Sequence, residues 1–467
     1  MKRLTTDQIA RIMSATEEVL EDTGVVVMHQ GMLGRLEKAG ARVDAASGTV
    51  RLPRQLLREL LSMAPRQYTI SGSGGQRYDL GGGSRHLHAI VTDPWVVDSD
   101  SAELRRPALA DIRRHTRIAQ CLDGVVATSL MDYPVTDCPG PESNLRSMEE
   151  YLLNHNKHQN VLPTSTASLD RWLEIGRILL NRGELKGSDL MTVAIPILSP
   201  MRVTGTNVDL LLRACEFELP ISPTTCPMAG TTAPYSKAGT LLAVNVETVF
   251  MMALTQVARP GTAYKYGIGP SRTDMSSGED MYYTLDKVLW KIHGVQLGQA
   301  YGVPVSAECG GSMQSRYDLQ TGAEGMLFML AAWSEAPDLL GGIGSFCNGL
   351  GMSAEMMLVH TAWLRAAQFL CEGVDFDRYL GLDSIQRAGP GNHYLDDELT
   401  LGRLRSDEFF DHGLFDYSQL TEEQPTMLER ARAQADKLIA GFECPHTGQV
   451  QEDLHRFFHD ECARVTD

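Results

Sequence analysis

The sequence predicts an α/β protein: a (β/α)8 TIM barrel with an N-terminal helical extension and a C-terminal helical tail. Two observations predict this fold. From residue 87 to residue 373, short apolar runs alternate with amphipathic segments of helix length, and this alternation is typical of parallel βαβ units. The pattern occurs eight times, and eight such units in a row form a closed barrel.

The apolar runs are the predicted strands, and the segments between them are the predicted helices. The strands are predicted at Leu87–Val91, Val125–Met131, Val161–Ser165, Met191–Leu198, Ile221–Thr225, Thr262–Gly267, Val303–Glu308 and Leu339–Gly344. The helices are predicted at residues 109–121, 143–157, 169–182, 205–216, 236–258, 278–300, 318–333 and 354–372.

The segments on either side of the barrel also show helical patterns. In the extension, residues 1–86, apolar residues recur at helical spacing over residues 6–40 and again near residues 53–63. Glycine-rich runs follow, and we expect flexible turns there, since no strand leads into them and no helix follows. Residues 374–467 are polar and acidic, and helices predicted at 418–440 and 450–463 indicate a cap or an oligomer contact.

Composition argues against several classes of partner. The formal net charge is 42 − 59 = −17, so no basic face offsets the repulsion of nucleic acid or of an anionic membrane. The N-terminal residues lack the apolar stretch of a secretory signal, and no segment is expected to span a membrane. The nine cysteines form no C-x-x-C pair, which argues against a disulfide framework. We expect a cytoplasmic enzyme.

The active site of such a barrel lies at the carboxyl ends of its strands. Aromatic residues are frequent at these predicted ends: Trp95, Tyr133, Tyr264, Tyr266 and Phe346. Aromatic faces around a cation bind quaternary ammonium groups, so one hypothesis is an aromatic cage. The alternative is that each aromatic ring packs beneath its own loop.

Two pairs of histidines could contribute to a metal site. His86 and His88 lie on one face of a predicted strand, and His155 and His158 are spaced i, i+3 at a helix end. Neither pair has a third ligand at a matching spacing, and a bound metal needs at least three protein ligands. We therefore expect no protein-bound metal.

Four motifs in order resemble those of one known family. Pro223–Pro234 resembles a P-x-x-G-x-T-A-P stretch, Asp318–Glu324 a D-x-Q-x-G-x-E run and Gly389–Leu395 a G-P-G-G-H-F-L motif, while Leu20–Val25 fits an L-E-x-T-G-V run. The family is that of the trimethylamine methyltransferases, which are corrinoid-dependent. The resemblance spans nearly the whole chain.

The resemblance implies a barrel enzyme that moves a methyl group from an amine to the Co(I) corrinoid of a partner protein, with no cofactor held tightly on this chain. It also implies a homo-oligomer. Archetypal members carry pyrrolysine, whereas this sequence has only the twenty standard residues. Relatives without pyrrolysine are associated with quaternary amines such as glycine betaine, whose nitrogen leaves as a neutral tertiary amine.

A betaine substrate needs donors for its carboxylate and a group that faces its cation. The candidate donors are Lys265, Arg316, Asn348 and His393. An alternative for Arg316 is a surface ion pair with Asp318 or Glu324. The candidate catalytic residues are Glu308, as an electrostatic or hydrogen-bonding group facing the cation, and Tyr264.

Two other functions are compatible with the same barrel. One is a metal-dependent enzyme, such as a zinc methyltransferase or a lyase, which stoichiometric zinc in the purified protein would indicate. The other is a non-catalytic protein that binds a quaternary amine, which tight binding without methyl transfer would indicate. If the aromatic residues only fill the core, no ligand binds there.

Overall fold

The N-terminal extension combines helices with short strands. In the computed structural model, which describes residues 1–98, 101, 103–131, 133–377, 380–417 and 424–466, the extension contains three α-helices and two small sheets. The β-branched run Val25–Val27 favours a strand over a helix, so this region is less helical than the sequence predicts. The helices are α1 (Thr6–Glu18), α2 (Gln30–Ala39) and α3 (Arg54–Ser62). In one sheet, Val25–Val27 pairs with Arg202–Val203 on one side and with Thr49–Arg51 on the other, and Thr49–Arg51 pairs in turn with Arg42–Asp44. The second sheet is the hairpin of Tyr68–Ser71 with Arg77–Leu80.

A curled parallel sheet of seven strands forms the centre of the protein. Its neighbouring strands all pair in parallel, which confirms the predicted α/β class. In spatial order the strands are Ile221–Thr224, Met191–Pro196, His158–Val161, Val125–Ser129, His86–Ile90, Leu339–Ile343 and Ser306–Glu308.

The predicted sixth strand, Thr262–Gly267, is reduced to two isolated bridges. Tyr264 pairs with Ile221 on one edge of the sheet, and Tyr266 pairs with Val305 on the other. The ladder is short because Pro223 and Pro304, which lack an N–H, are the neighbours on the two sides. The backbone N–H of Tyr266 still donates to the Pro304 carbonyl at 2.8 Å.

The predicted third strand is displaced. The sequence predicts Val161–Ser165, whereas the strand runs from His158 to Val161. His158 and Gln159 are polar but fully buried, and because an apolar run cannot identify a strand that starts with polar residues, the predicted strand begins too late.

Eight helices cover the outside of the sheet, and three of them have the predicted bounds. The largest difference in starting residue is that of the helix predicted at 278–300. This helix begins at Leu285, because residues before it form the strand Asp280–Met281. The helices are α4 (Leu109–Cys121), α5 (Ser143–Leu153), α6 (Thr166–Leu179), α7 (Gly205–Glu216), α8 (Lys237–Ala258), α9 (Leu285–Tyr301), α10 (Leu319–Ser334) and α11 (Ala354–Glu372).

Short strands in the connecting loops form two small sheets near the carboxyl ends of the central strands. One of these sheets holds Asp280–Met281 next to the loop that leads into α9. Their strands are Trp95–Val97, Leu104–Arg105, Ser345–Phe346 and Gly351–Met352 in one sheet, and Met228–Ala229, Ser271–Thr273 and Asp280–Met281 in the other.

Helix α8 is the central helix on one side of the sheet. By length and by its mean hydropathy of 1.6 alone, this helix could cross a membrane, a pattern that the sequence analysis did not identify. However, 78% of this apolar window is buried inside the protein, and it includes the buried polar residues Asn245 and Glu247. Its apolar character therefore reflects packing against neighbouring helices such as α1, α3 and α9.

The tail packs on the outer helices of the central sheet. Its helices are α12 (Leu382–Ala388), α13 (Glu398–Arg403), α14 (Met427–Ala440) and α15 (Gly448–Thr466). The helix predicted at 418–440 begins at Met427, and residues 418–423 lie outside the described residues. Helix α14 packs on α11 and α4, and α15 packs on α5 and α6.

One buried carboxylate, that of Asp338, joins the glycine-rich turn at residues 81–83 to the sheet. Its Oδ1 accepts hydrogen bonds from the backbone N–H groups of Gly81 and Gly83, both at 2.8 Å. Its Oδ2 accepts from the backbone of Val305, also at 2.8 Å. The turn is therefore anchored, and a strand, Arg77–Leu80, leads into it, in contrast to the flexible turn that the sequence predicts.

Replacing Asp338 should destabilise the whole fold. The variant Asp338→Ala leaves four backbone N–H groups, those of Gly81, Gly83, Ser84 and Val305, without their acceptor, and we expect the free energy of unfolding to fall by about 3 kcal/mol or more. Urea denaturation measures this change. The exposed Glu184→Ala is the control and should alter stability by less than about 0.5 kcal/mol. Equal stability of the two variants would contradict the anchoring role.

Candidate active site

A cavity of about 180 Å³ lies at the carboxyl ends of the central strands. Glu308 enters it from the end of the Ser306–Glu308 strand, and Lys265 enters from the segment between the two sheet edges. Tyr282, from the loop before α9, and Lys291, from α9 itself, complete its charged and aromatic lining. The cavity thus has the position that the fold assigns to an active site.

Glu308 is held by three side chains from one stretch of chain. Its Oε2 lies 3.0 Å from Nζ of Lys291 and 3.2 Å from Nζ of Lys287. Its Oε1 accepts a hydrogen bond from the hydroxyl of Tyr282 at 2.5 Å. Residues four apart share a face of a helix, so α9 directs both ammonium groups at one carboxylate. Lys291 also donates to the Ile268 carbonyl.

Burial and the neighbouring charges in this cluster shift the pKa values of Glu308 and Lys287. Burial acts to raise the pKa of Glu308, but Lys287 and Lys291 outweigh it and lower that pKa to about 2. Burial lowers the pKa of Lys287 to about 7, although Glu308 acts in the opposite direction. At neutral pH the carboxylate is therefore ionised, and Lys287 lies near the midpoint of its titration.

Lys265 is a buried lysine in the same cavity. It is only 4% exposed, and burial lowers its pKa to about 8. No partner for its Nζ in a hydrogen bond or ion pair lies among the residues that the structure describes. His88 and His158 lie nearby, and burial together with Lys265 lowers the pKa of each to about 3. Both histidines are therefore neutral at pH 7, and neither balances the charge of Lys265.

Tyr264 and Tyr266 point away from the cavity. The hydroxyl of Tyr264 donates to the Thr248 carbonyl at 2.7 Å, and that of Tyr266 donates to Oδ1 of Asn245 at 2.7 Å. Successive residues of an extended segment face opposite sides, so the two tyrosines pack on α8 while Lys265 faces inward. The predicted roles of Tyr264 in catalysis and Tyr266 in binding are therefore not supported by their placement.

The other predicted aromatic residues also lie outside the cavity lining. The guanidinium carbon of Arg106 lies 3.9 Å from the ring centroid of Trp95. Phe346 stacks on Tyr317, with ring centroids 5.2 Å apart. Tyr133 is half-buried, and its pKa is raised by burial and by Asp93. The five aromatic rings thus do not converge on one site, because Tyr264 and Tyr266 pack on α8 and the other three rings lie outside the cavity lining.

Sequence reasoning missed the residues that surround Glu308. Tyr282 and Tyr283 stand directly before α9, with ring centroids 5.1 Å apart. Lys287 and Lys291 lie on the buried face of that helix. Two lysines four residues apart on an apolar helix face were a signal in the sequence, since lysine is rarely buried unless it is paired.

Asn348 positions this loop instead of lining the cavity. It adopts a left-handed conformation with φ of 56°. Its Oδ1 accepts from the backbone N–H of Tyr282 at 2.7 Å and of Tyr283 at 3.2 Å, and its Nδ2 donates to the Asp280 carbonyl at 2.7 Å. The predicted role as a substrate donor is replaced by one in which Asn348 holds the backbone of the two tyrosines, of which Tyr282 lines the cavity.

Arg316 and His393 are not among the residues that line the cavity. Arg316 is exposed, and it does not form the ion pair with Asp318 or Glu324 that was the alternative for it: Asp318 caps α10, and Glu324 accepts from Ser312. His393 lies in the tail with 67% of its side chain exposed. Of the predicted carboxylate donors, only Lys265 enters the cavity.

The histidine pairs have other partners. His88 lies 2.7 Å from Oγ of Ser129, and His158 lies 2.9 Å from Oγ1 of Thr192. Among the described ranges, no group of three or more His, Cys, Asp or Glu side chains is placed to hold a metal ion.

The unpaired charge of Lys265 should reduce stability in a pH-dependent way. Its folded pKa of about 8 lies below the ordinary 10.5, so the unfolded state binds more protons between these values and stability rises with pH across that window. We expect Lys265→Met to be more stable than the wild type at pH 7, by up to about 3 kcal/mol. The difference should shrink as the pH approaches 10.

Urea denaturation between pH 6.5 and 10.5 tests this expectation. The control is Lys38→Met, which replaces an exposed lysine on α2. A Lys265→Met variant that is less stable than the wild type at every pH would mean that the ammonium has a partner in the folded protein.

Comparison with known proteins identifies the family of this chain. A family model described as trimethylamine methyltransferase (MTTB) matches residues 1–464. Glycine betaine methyltransferase of Desulfitobacterium hafniense is 24% identical over 449 residues, which cover 95% of this chain and 93% of that protein. Trimethylamine methyltransferase MttB2 of Methanosarcina mazei is 24% identical over 408 residues, covering 84% and 80%.

A solved structure shares the fold. The hydroxylamine complex of MtmB superimposes with a TM-score of 0.50 at 9% identity, over 78% of this chain and 75% of that chain. The resemblance carried by the four sequence motifs is confirmed by the match of the family model over residues 1–464. This chain belongs to the trimethylamine methyltransferase (MTTB) family and is a methyltransferase.

Proposed function

We propose that this enzyme transfers a methyl group from a small betaine, a quaternary ammonium carboxylate, to the Co(I) corrinoid of a partner protein. The observation that carries the proposal is the buried ammonium of Lys265, which faces the cavity without a counter-charge. A substrate carboxylate would supply that counter-charge. The similarity to a glycine betaine methyltransferase over 95% of the chain supports the same substrate class.

The two ends of a betaine match two regions of the cavity. A carboxylate paired with Lys265 would form a charge-assisted hydrogen bond in a site with little water. The quaternary nitrogen would then lie toward Glu308 and the ring of Tyr282, which lines the same cavity. A single tyrosine and one carboxylate thus take the place of the aromatic cage that the sequence predicts.

The ion pairs of Glu308 with Lys287 and Lys291 suit a reaction in which the substrate nitrogen loses its positive charge. The substrate nitrogen is positive before the methyl group leaves and neutral afterwards, so a strongly negative site would stabilise the bound substrate more than the transition state. Lys287 and Lys291 already balance much of the Glu308 charge. Glu308 can therefore orient the cation without holding it tightly.

The methyl acceptor has to reach the substrate from outside. The mouth of the cavity is open, since Cys226 at its edge is exposed and the Glu308 side chain is 24% exposed. This opening fits an acceptor that arrives on a separate chain, where Co(I) supplies the nucleophile. The residues of this chain bind the betaine and direct one of its methyl groups toward the opening, and orientation of this kind lowers the barrier.

We also infer that the barrel is complete. The segment around Tyr264 and Tyr266 bridges both edges of the seven-stranded sheet, so it can act as the eighth member of a closed (β/α)8 barrel. The nine cysteines, all among the described residues, form no disulfide, which agrees with the reducing cytoplasm as the proposed site of action.

Turnover of a substrate panel tests the reaction. Glycine betaine, proline betaine, carnitine, choline and trimethylamine are each supplied with a Co(I) corrinoid, and loss of the Co(I) absorbance is followed. We expect at least one betaine to react, and choline and trimethylamine, which lack a carboxylate, to be inert. Equal turnover of choline and the betaines would contradict the role of Lys265, and no turnover at all would favour a binding protein.

The Lys265→Met variant tests the carboxylate contact directly. Removing one partner of a buried charge pair costs several kcal/mol, so kcat/KM for the reactive betaine should fall by about 100-fold. The exposed Lys38→Met is the matched control and should retain wild-type turnover. An unchanged kcat/KM in Lys265→Met would assign the carboxylate to another group.

A further inference from the structure

The first part of the tail exposes an unusual amount of apolar surface. We call residues 380–417 the arm. Nine of its large hydrophobic side chains are exposed, and only Ser384 and Leu414 among its residues are buried. The exposed fractions reach 82% for Phe409, 77% for Leu395 and 73% for Leu404. Apolar surface of this extent marks an interaction site.

The arm is attached at one end and is acidic. Phe410 packs on Phe369 of α11, with ring centroids 5.6 Å apart, and Leu414 is buried. Eight Asp and Glu residues against three Arg give the arm a formal net charge of −5. A partner surface must therefore be apolar and basic.

Such a surface exists on another face of the same protein. A groove of about 660 Å³ lies between α1, the start of α8 and α9, with Ile12, Leu242 and Trp290 in its apolar lining. Lys2, Arg3, Arg11 and Lys237 also line it, and the described part of the chain contributes no carboxylate to this lining. On a chain with a net charge of −17, this concentration of cations is distinctive.

We infer that the arm of one copy docks in the groove of a second copy, and that the exchange of two arms builds a dimer. Charge selects this arrangement over arm-on-arm contact, which would bring together two segments of −5 each. A stable interface uses 20–30 residues a side, and the arm supplies 38. A twofold axis generates two equal arm–groove contacts. This inference does not depend on the substrate proposed above.

Two full-length variants test the two sides of this contact independently, one altering the arm and the other altering the groove. The arm variant carries Leu395→Asp, Leu404→Asp and Phe409→Asp. The groove variant carries Ala238→Trp, which places an indole in the groove from an exposed position at the start of α8. Ala10→Trp, at an exposed position of α1 outside the groove lining, is the control. Circular dichroism establishes that each variant is folded.

Sedimentation velocity is expected to show a dimer for the wild type and for Ala10→Trp. For each of the other two variants, the dissociation constant of the dimer should be at least ten times larger than that of the wild type. Because attraction between exposed charges is screened by salt, dissociation of the wild-type dimer should also increase between 0.05 and 0.5 M NaCl.

Mixing the two variants gives the most specific readout. The groove variant keeps an intact arm and the arm variant keeps an intact groove, so one contact of the pair can form. With different tags, the two chains should co-purify, whereas neither should self-associate. A monomeric wild type, a dimer that only one variant weakens, or a failure of the two variants to associate would each overturn the inference.

Discussion

The ion cluster of Glu308 with Lys287 and Lys291 is the interaction on which the site depends. A carboxylate at the end of a buried strand is costly unless it is paired, and α9 supplies two ammonium groups within 3.2 Å. The same helix is preceded by Tyr282, which donates to the other carboxylate oxygen. Because strand, loop and helix meet at one carboxylate, the cluster fixes the wall of the cavity.

Lys265 shows the opposite arrangement. It is as buried as Lys291, yet it has no counter-charge among the described residues, so it weakens the fold at neutral pH. A residue that reduces stability and faces a cavity is typical of functional sites, where stability is lost for activity. We therefore take its unpaired ammonium as the complement of the carboxylate that distinguishes betaines from simple amines.

The sequence predicted the α/β fold class more reliably than the placement of individual candidate site residues. Apolar runs identified most strands, but the polar residues of His158–Val161 and the flanking prolines of the Tyr264–Tyr266 segment obscured two of them. At the site, Glu308 and Lys265 were selected because they follow strand ends. The side on which Tyr264 or Tyr266 lies depends on the register of a short segment, and the contacts of Lys287 depend on how α9 packs. Neither is encoded in local spacing.

The charge state of Lys265 tests this account most directly. Nuclear magnetic resonance of 13C-labelled lysine, assigned with Lys265→Met, measures its pKa with and without a bound betaine. The account predicts a pKa of about 8 in the free protein and a rise toward or above the ordinary value when a carboxylate pairs with it. A pKa that is unchanged by the betaine, or lowered by it, would show that the carboxylate does not meet Lys265 and would contradict the account.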